Sequence, residues 1–295
     1  MNDDLIAAID TAPAPPEGAP GKRQPGRAGR NLPAAVGVGL GLGAVVVLPL
    51  FSPYRFVFIG VIAAAVALGT YEVVKALRTL GVQPPMPPLL VGGAAMVVLA
   101  YQEGPEGLFL ALVLTVLACL AWRLADPAEG FLRDVAASTF TAAYVPFLAG
   151  FAALLAIPAD GPRRVTAFIA VVVCSDVGGY AAGVLFGKHP MAPSVSPKKS
   201  WEGFAGSLVA CATAGGIFFV TLFDASPLLG VLYGLAVVLT ATLGDLGESM
   251  VKRDIGIKDM GTLLPGHGGI MDRLDSLLPT APVAWLLLGA FLAYP

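Results

Sequence analysis

Carboxylates at helical spacing mark the last third of this 295-residue chain. Asp245 lies three residues before Glu248 and four before Ser249, and Asp272 lies three before Asp275. Side chains three or four residues apart share one face of a helix, so we expect the side chains of each group to lie on the same helix face. Such a cluster of oxygen ligands suits a hard cation such as Mg²⁺ rather than zinc. The chain has only two histidines, which argues against a histidine-based metal site.

Two further acidic residues lie within apolar segments. Asp176 follows Val-Val-Cys-Ser near the middle of one segment, and Glu72 lies near the end of another, three residues before Lys75. A carboxylate at the centre of a membrane helix costs about 2.5–3.5 kcal/mol, so by default it is functional or paired. For Asp176 the structural alternative is a buried ion pair or a hydroxyl-bonded carboxylate. For Glu72 we expect an ion pair with Lys75 at the membrane surface.

Two polar segments, 187–203 and 252–275, combine cations, hydroxyl groups and glycines. Lys and Arg side chains, together with backbone N–H groups that glycine leaves accessible, are what a polyphosphate needs. The candidate cations are Lys198, Lys199, Lys252, Arg253 and Lys258. Gly268 and Gly269 would let the backbone approach a phosphate, and His267 would donate a hydrogen bond to it.

These residues also have simpler interpretations, which the sequence leaves open. Basic loops beside membrane spans often serve only to set the topology. His267 could order the glycine turn, and Asp254 and Asp259 could pair with the adjacent Lys and Arg residues.

The composition places most of the chain in lipid. Apolar residues make up 56% of it and charged residues 13%, with a mean hydropathy of +0.79, whereas soluble domains carry about 25% charged residues. This excludes a soluble enzyme fold, a disordered protein and a secreted disulfide scaffold. The three cysteines lie singly in apolar runs and have no metal-binding spacing. A net charge of −2 gives no indication of a nucleic-acid partner, and we predict none.

The apolar runs predict an all-α polytopic membrane protein, a bundle of about nine transmembrane helices. No run alternates with period two, which argues against membrane strands. The predicted spans are 33–52, 55–74, 87–102, 105–123, 136–157, 165–187, 203–223, 227–248 and 277–294. Residues 1–32 are rich in proline and glycine and predict a disordered cytoplasmic tail, with no cleavable signal peptide. We expect an N-terminal transmembrane bundle over 33–160 and a catalytic transmembrane region with cytoplasmic polar loops over 161–295.

The distribution of basic residues predicts the orientation. With the N-terminus inside and nine spans, the C-terminus lies outside, and fifteen of the 18 Lys and Arg residues fall on the inner side. Only Arg55, Arg163 and Arg164 remain outside. This agrees with the bias of Lys and Arg toward the cytoplasm, so both polar loops should face the cytoplasm from the plasma membrane.

The segment Ser249–Asp275 resembles the signature of the phosphatidate cytidylyltransferases (CDP-diacylglycerol synthases). It reads SMVKRDIGIKDMGTLLPGHGGIMDRLD and has every fixed position of that signature. The upstream loop 196–203 and Asp176 with Tyr180 and Gly183 also resemble the family, with Ser200 where threonine is common. The resemblance is strong over about 170–280, while the first five spans match only in being hydrophobic.

The resemblance implies an integral membrane enzyme that condenses CTP with phosphatidic acid to CDP-diacylglycerol and pyrophosphate. It also implies a homodimer and a divalent cation, Mg²⁺, held by Asp245 and Asp272, with K⁺ also associated with the site. The predicted catalytic residues are Asp245, Asp272, Lys252, Arg253 and His267. The predicted substrate-binding residues are Asp176, Ser196, Lys198, Lys199, Ser200, Glu248, Ser249, Lys258, Gly268, Gly269, Arg273 and Asp275.

The chemistry of these residues agrees with that activity. The second pKa of a phosphate monoester is near 6, so the lipid phosphate is mostly ionised at neutral pH and needs no general base. The reaction instead requires that repulsion between two anions be suppressed and that the charge on the leaving pyrophosphate be stabilised.

Two other classes of protein remain open at this point. Intramembrane carboxylates and glycine-interrupted spans also occur in secondary transporters, although the sequence shows no repeated halves. A different lipid-linked nucleotidyl or phosphoryl transferase, acting on an isoprenoid phosphate, would present the same polar groups. A structural membrane scaffold would not retain so many carboxylates against their insertion cost.

Overall fold

The chain folds into a bundle of long apolar helices, as seen in a computed structural model that describes residues 41, 43–261, 263 and 268–292. The predicted tail lies outside these residues, and so do residues 33–40 and 42 of the first predicted span. The helices are α1 (43–50), α2 (Arg55–Arg78), α3 (Met86–Arg123), α4 (Phe131–Ala142), α5 (Leu148–Leu155), α6 (Gly161–Phe186), α7 (Trp201–Phe223), α8 (Pro227–Ile255), α9 (Met271–Leu274) and α10 (Leu277–Leu292). A π-helical turn, Ala143–Phe147, joins α4 to α5.

Seven helices of the described part are long and apolar enough to cross a membrane. The multi-pass all-α class predicted from composition is therefore present, but the number differs from the predicted nine. One reason is that residues 33–40 and 42 of the predicted span 33–52 lie outside the described residues, so that its described helix, 43–50, is too short to be counted as a span. The other is that the predicted spans 87–102 and 105–123 fall within one continuous element, Met86–Arg123.

That element reverses its direction at Gly104. Gly104 has φ 73° and ψ −153°, a conformation open to glycine and closed to residues with a Cβ. Gly92 packs so closely against Thr115 that a Cβ there would lie 2.7 Å from the Thr115 Cβ. Residues this far apart on one straight helix would be separated by more than 30 Å at 1.5 Å per residue. The two arms of α3 therefore form an antiparallel hairpin.

Glycines set the spacing of α6, α7 and α8. A Cβ on Gly178 of α6 would lie 2.9 Å from the Gly206 carbonyl oxygen of α7, and one on Gly230 of α8 would lie 2.7 Å from the Gly215 carbonyl carbon. Small residues let membrane helices approach closely, which favours their association through van der Waals contact. These three helices form the frame on which the candidate site is built.

Hydrogen bonds group the loops at two ends of the bundle. At one end Gln83 donates its backbone N–H to Asp134 Oδ1 at 2.9 Å, and Arg133 Nη2 donates to the Gly81 carbonyl at 2.7 Å. At the other, Arg55 donates to the Pro158 carbonyl at 3.3 Å. Each set joins loops that the charge distribution assigns to the same side of the membrane.

The polar segment 187–203 contains a two-stranded antiparallel hairpin, β1 (Pro190–Ala192) and β2 (Ser196–Ser200). It is short and lies outside the spans, so the all-α description holds for the membrane part. The sequence analysis treated this segment as a loop, because three- and five-residue strands leave no period-two pattern to detect.

The ends of the last two spans differ from the predicted ones. Helix α8 continues to Ile255 and ends at Gly256, whose φ of 80° forms a left-handed cap. Lys252 and Arg253 therefore lie on the last turn of a helix rather than in a loop. Asp272 lies in the four-residue helix α9, and Asp275 lies at the break before α10.

Candidate active site

A cleft of about 300 Å³ opens between α6, the hairpin, α7 and α8. It brings together residues from both halves of the predicted catalytic region, although their positions in sequence span about a hundred residues. Its polar lining residues are Ser175, Asp176, Tyr180, Lys198, Lys199, Ser200, Ser207, Thr242, Asp245 and Ser276. Five predicted site residues are thus in one cleft: Asp176, Lys198, Lys199, Ser200 and Asp245.

The centre of the cleft is an ion pair between β2 and α8. Lys199 Nζ lies 2.5 Å from Asp245 Oδ2, and both side chains are partly exposed to the cleft. Ser249 Oγ approaches Asp245 Oδ1 at 3.5 Å from the next turn of α8. The helical spacing therefore places Ser249 beside Asp245 as expected, while the lysine partner comes from the hairpin.

The hairpin that carries the lysines is fixed at both of its ends. Ser200 Oγ accepts the backbone N–H of Gly203 at 3.1 Å and so caps α7. Glu202 accepts the backbone N–H groups of Lys188 and His189 at 3.1 and 3.2 Å, and its Oε1 lies 2.5 Å from His189 Nδ1. Sequence reasoning missed His189 and Glu202. Their spacing across the turn was visible, but the hairpin that pairs them was not.

A second polar cluster lies one helical turn further along α8. Lys252 Nζ lies 2.9 Å from Glu248 Oε2 and 2.9 Å from Asp272 Oδ1. Glu248 is fully buried, and its Oε1 has no hydrogen-bond partner in the part of the chain that the structure describes. Lys252 therefore joins α8 to α9.

Asp272 organises the backbone around α9. Its Oδ2 accepts the N–H of Gly269 at 2.8 Å and that of Met260 at 3.0 Å. Gly268 has φ +81°, and a Cβ there would lie 3.0 Å from Asp272 Oδ2. The two predicted glycines thus pack on a carboxylate of their own chain, and Asp272 holds the backbone at Met260 close to the backbone at Gly269.

Asp275 and Asp176 connect the two clusters electrostatically. Asp275 interacts electrostatically with Asp245 and Glu248. Asp176 interacts electrostatically with Asp245 and Asp275 and with the cations Lys199 and Arg273. Asp176 is thus part of a group of charged side chains, in which the neighbouring carboxylates Asp275 and Asp245 act on it more strongly than the cations Lys199 and Arg273.

Tyr144 of the π-helical turn approaches the same acidic groups from the N-terminal half. Its hydroxyl is buried without a hydrogen-bond partner among the described residues and lies within electrostatic range of Glu248, Asp275 and Asp245. π-Helical turns occur often at functional sites. Sequence reasoning missed this residue, although Pro146 in mid-span was a signal of an irregular turn.

The remaining predicted residues lie around this core. Arg253 Nε donates to the Val195 carbonyl at 3.3 Å, so it ties α8 to the hairpin turn. Ser196 begins β2, and Lys258 and Arg273 are exposed side chains that do not line the cleft. His267 lies outside the described residues.

The expected ion pair between Glu72 and Lys75 is wrong. Glu72 is only 2% exposed, and its Oε2 accepts the backbone N–H of Met271 at 2.8 Å. The helix turns Glu72 inward toward α9, whereas Lys75 is exposed. A pattern within one helix cannot reveal a backbone partner 199 residues away.

The side-chain oxygens of the site are of the chemical type that a hard divalent cation prefers. Asp245, Asp272, Glu248 and Asp275 supply only carboxylate oxygens, and Glu248 Oε1 is a buried acceptor without a partner in the described part. In the described residues no group of three acidic, His or Cys side chains is placed to hold a metal ion. Lysine ammonium groups instead lie beside the two predicted ligands, Lys199 at Asp245 and Lys252 at Asp272.

Comparison with known proteins assigns the chain to a family. The model of the cytidylyltransferase family matches residues 34–291. A protein named phosphatidate cytidylyltransferase from Mycobacterium leprae is 50% identical over 279 residues, which is 89% of each chain. Proteins of the same name from Mycobacterium tuberculosis H37Rv and Helicobacter pylori J99 are 48% and 32% identical, over 90% and 81% of this chain and 86% and 85% of theirs. The chain is therefore an enzyme of the cytidylyltransferase family, as the signature segment indicated.

Proposed function

We propose that this enzyme transfers the CMP moiety of CTP to phosphatidic acid, forming CDP-diacylglycerol and pyrophosphate. A phosphate oxygen of the lipid attacks the α-phosphorus of CTP, and the bond from that phosphorus to the bridging oxygen of the β-phosphate breaks. The observation that carries the proposal is the cleft beside the membrane helices, which Lys198 lines and in which Lys199 forms an ion pair with Asp245. The names of the relatives agree with it.

The lysines of the hairpin suit the binding of the two anions. Lys198 is exposed to the cleft, and Lys199 lies at the Asp245 carboxylate. Ammonium groups reduce the repulsion between a triphosphate and a lipid phosphate, and they stabilise the charge that develops on the leaving pyrophosphate. The clamp formed by His189 and Glu202 holds the hairpin, so the lysines need little reorganisation when substrates bind.

We assign Asp245 and Asp272 to a bound Mg²⁺, with K⁺ as a further cation of the site, as the resemblance implies. When bound, Mg²⁺ would neutralise phosphate charge and hold the phosphate oxygens in position for in-line displacement. Asp245 and Asp272 supply oxygens of the required kind. Lys199 and Lys252 neutralise these carboxylates in the described arrangement and would turn toward substrate phosphates when a metal binds.

The cleft also suits a substrate with an apolar part. Tyr180, Met191 and Phe204 form one wall next to the lysines, and Tyr180 is 72% exposed. Aromatic side chains with polar tips favour the membrane interface. A phosphate that projects from the bilayer could reach Lys199 while its acyl chains stay along α6. A soluble phosphate without acyl chains would make no apolar contacts with these side chains.

We propose nine membrane crossings, with the N-terminus inside, the C-terminus outside and the cleft facing the cytoplasm from the plasma membrane. The bonds of Gln83 and Arg133 hold the two ends of α3 together, which supports two crossings for that hairpin. The predicted span 33–52 supplies one more. CTP is cytosolic, and the cleft lies at the end of the bundle where most basic residues fall.

We also propose that the enzyme is a homodimer, as the family resemblance implies. Cross-linking of the purified protein in detergent at low concentration tests this directly. A cross-linked product of twice the monomer mass is expected, and a product of monomer mass alone at all concentrations would contradict it.

A lipid competition assay tests the reaction. The purified protein is incubated with CTP labelled at its α-phosphorus, Mg²⁺, and vesicles that contain either phosphatidic acid or an isoprenoid monophosphate. Label is expected in the lipid fraction only with phosphatidic acid. Label on the isoprenoid phosphate would favour the alternative transferase, and uptake of a solute by sealed vesicles without consumption of CTP would favour a transporter.

A further inference from the structure

A buried carboxyl group lies at the inner end of α2, outside the cleft. Glu72 is 2% exposed, and its neighbours Val73 and Val74 are also buried. Burying a carboxyl group is costly unless it is hydrogen bonded, and such residues within membrane helices generally have a specific role. The proposed reaction does not use Glu72 as a substrate contact, because Glu72 does not line the cleft.

The hydrogen bonds of Glu72 run to the start of α9. Its Oε2 accepts the N–H of Met271 at 2.8 Å, and the backbone of Ile270 also lies near this carboxyl. Met271 is the first residue of α9, and the first N–H groups of a helix have no partner within it. Glu72 therefore supplies an acceptor that the local sequence of α9 lacks.

Two glycines of the signature segment leave room for the Glu72 carboxyl. A Cβ on Gly269 would lie 2.6 Å from Glu72 Oε1, and one on Gly261 would lie 2.9 Å from Glu72 Cγ, with still closer approaches to the carboxyl atoms. Neither glycine has a positive φ. They are therefore needed for space rather than for backbone conformation, and the carboxyl fits closely against the backbone at both glycines.

Asp272, the residue after Met271, holds the same backbone from the other side. Its carboxylate accepts the N–H groups of Met260 and Gly269. Two carboxyls thus hold the segment between α8 and α9, Asp272 from α9 and Glu72 from α2. Displacement of Met271 would move Asp272 relative to Lys252, to which it is bonded at 2.9 Å.

We propose that Glu72 is a positioning residue, which fixes the start of α9 so that Asp272 is held facing α8. The inference rests on the proposed function, because Asp272 is a metal ligand only in that account. It gives the N-terminal bundle, which the sequence analysis places outside the catalytic region, a direct part in shaping the site.

Three variants test the proposal by activity. Glu72→Ala removes the acceptor and should lower turnover and raise the Mg²⁺ concentration for half-maximal activity, each by about tenfold to a hundredfold. Glu72→Gln keeps an acceptor oxygen and should restore most of both. Glu106→Ala, which removes an exposed glutamate at the distant turn of α3, should match the wild type. An unchanged Mg²⁺ requirement in Glu72→Ala would overturn the proposal.

Hydrogen–deuterium exchange of the purified proteins gives a readout independent of activity. The peptide containing Met271 should exchange faster in Glu72→Ala than in the wild type or in Glu106→Ala. Equal protection in all three would overturn the role of Glu72 even if every protein is active. Failure of the proposed function looks different, because the wild type would then form no CDP-lipid while the exchange difference remained.

A double-mutant cycle covers the case in which Glu72→Ala folds poorly. Gly261→Ala places a methyl group against the Glu72 carboxyl and should lower thermal stability on its own. The same change should cost less in the Glu72→Ala background, because the atoms it overlaps are gone. Strictly additive effects would contradict the contact.

Discussion

Lys252 links the last turn of α8 to α9, with its Nζ 2.9 Å from Asp272 Oδ1. The same ammonium lies 2.9 Å from the buried Glu248. A cation between two carboxylates from different helices holds them at a fixed separation. This contact ties the two ends of the signature segment, which are separated by about twenty residues of chain.

Loss of this cation should affect both structure and activity. Lys252→Met leaves Glu248 buried without its partner, and breaking a buried ion pair by removing one member costs about 3–5 kcal/mol. We expect lower thermal stability in detergent together with loss of activity. The double variant Lys252→Met with Glu248→Met should regain stability but not activity. A stable, active Lys252→Met protein would contradict the bridge.

Neutralising either proposed metal ligand should abolish most of the turnover. Asp245→Asn and Asp272→Asn are each expected to lower kcat by about 10²–10³-fold, the effect of removing one electrostatic stabiliser of a transition state. Both proteins should still insert and fold, as size-exclusion profiles would show. Near-normal CTP-dependent activity in either variant would remove that residue from the metal site.

The two variants should differ in stability. Asp272 accepts hydrogen bonds from two backbone N–H groups and from a lysine, whereas in the described part of the chain the partners of Asp245 are side chains. Asp272→Asn should therefore melt at a lower temperature than Asp245→Asn. Differential scanning fluorimetry of both proteins measures this, and equal melting temperatures would contradict the structural part assigned to Asp272.

Sequence reasoning was most successful where the signal is local. The apolar runs predicted a multi-pass helical protein, because a membrane helix needs a stretch of about 20 apolar residues, although seven helices of the described part qualify as spans where nine were predicted. The signature segment predicted the family. The spacing of Asp245 and Ser249 predicted their contact, because one helix contains both.

Contacts between distant segments could not be predicted. The partner of Glu72 is a backbone group, which carries no residue type to recognise, and the intrahelical Lys75 was the wrong choice. The pairing of Lys199 with Asp245 depends on a hairpin too short to show a pattern. The reversal at Gly104 was expected as a short loop and is instead a single glycine within a continuous element.

The lysines of the cleft should act mainly on nucleotide binding. Lys199→Ala and Lys198→Ala are expected to raise KM for CTP by about tenfold or more, since each charge-assisted hydrogen bond to a phosphate contributes about 1.5–3 kcal/mol. Lys75→Ala, an exposed lysine that does not line the cleft, is the control. An unchanged KM for CTP in both cleft variants would remove them from the nucleotide site.

The contact between His189 and Glu202 at the base of the hairpin should affect nucleotide binding by holding Lys198 and Lys199 in place. Glu202→Ala removes the acceptor for the N–H groups of Lys188 and His189, so the hairpin should lose order. We expect a higher KM for CTP and a smaller change in KM for phosphatidic acid. Equal changes in both constants would indicate a general loss of structure instead.

Cysteine labelling tests the crossing number. Glu106 lies at the turn of the α3 hairpin, and Glu129 lies in the loop after it. A membrane-impermeant maleimide applied to intact cells should label Glu106→Cys but label Glu129→Cys only after lysis, with the wild type as the blank for native cysteines. The reverse pattern would invert the proposed orientation, and labelling of both in intact cells would contradict separate crossings.

The most direct test follows the phosphorus atoms of CTP. The purified enzyme is given phosphatidic acid, Mg²⁺ and CTP labelled at either the α- or the γ-phosphorus, and lipid and aqueous products are separated. The account predicts that α-label enters the lipid, that γ-label appears in pyrophosphate, and that Asp245→Asn loses both products. Transfer of γ-label to the lipid, or no labelled lipid from either nucleotide, would contradict it.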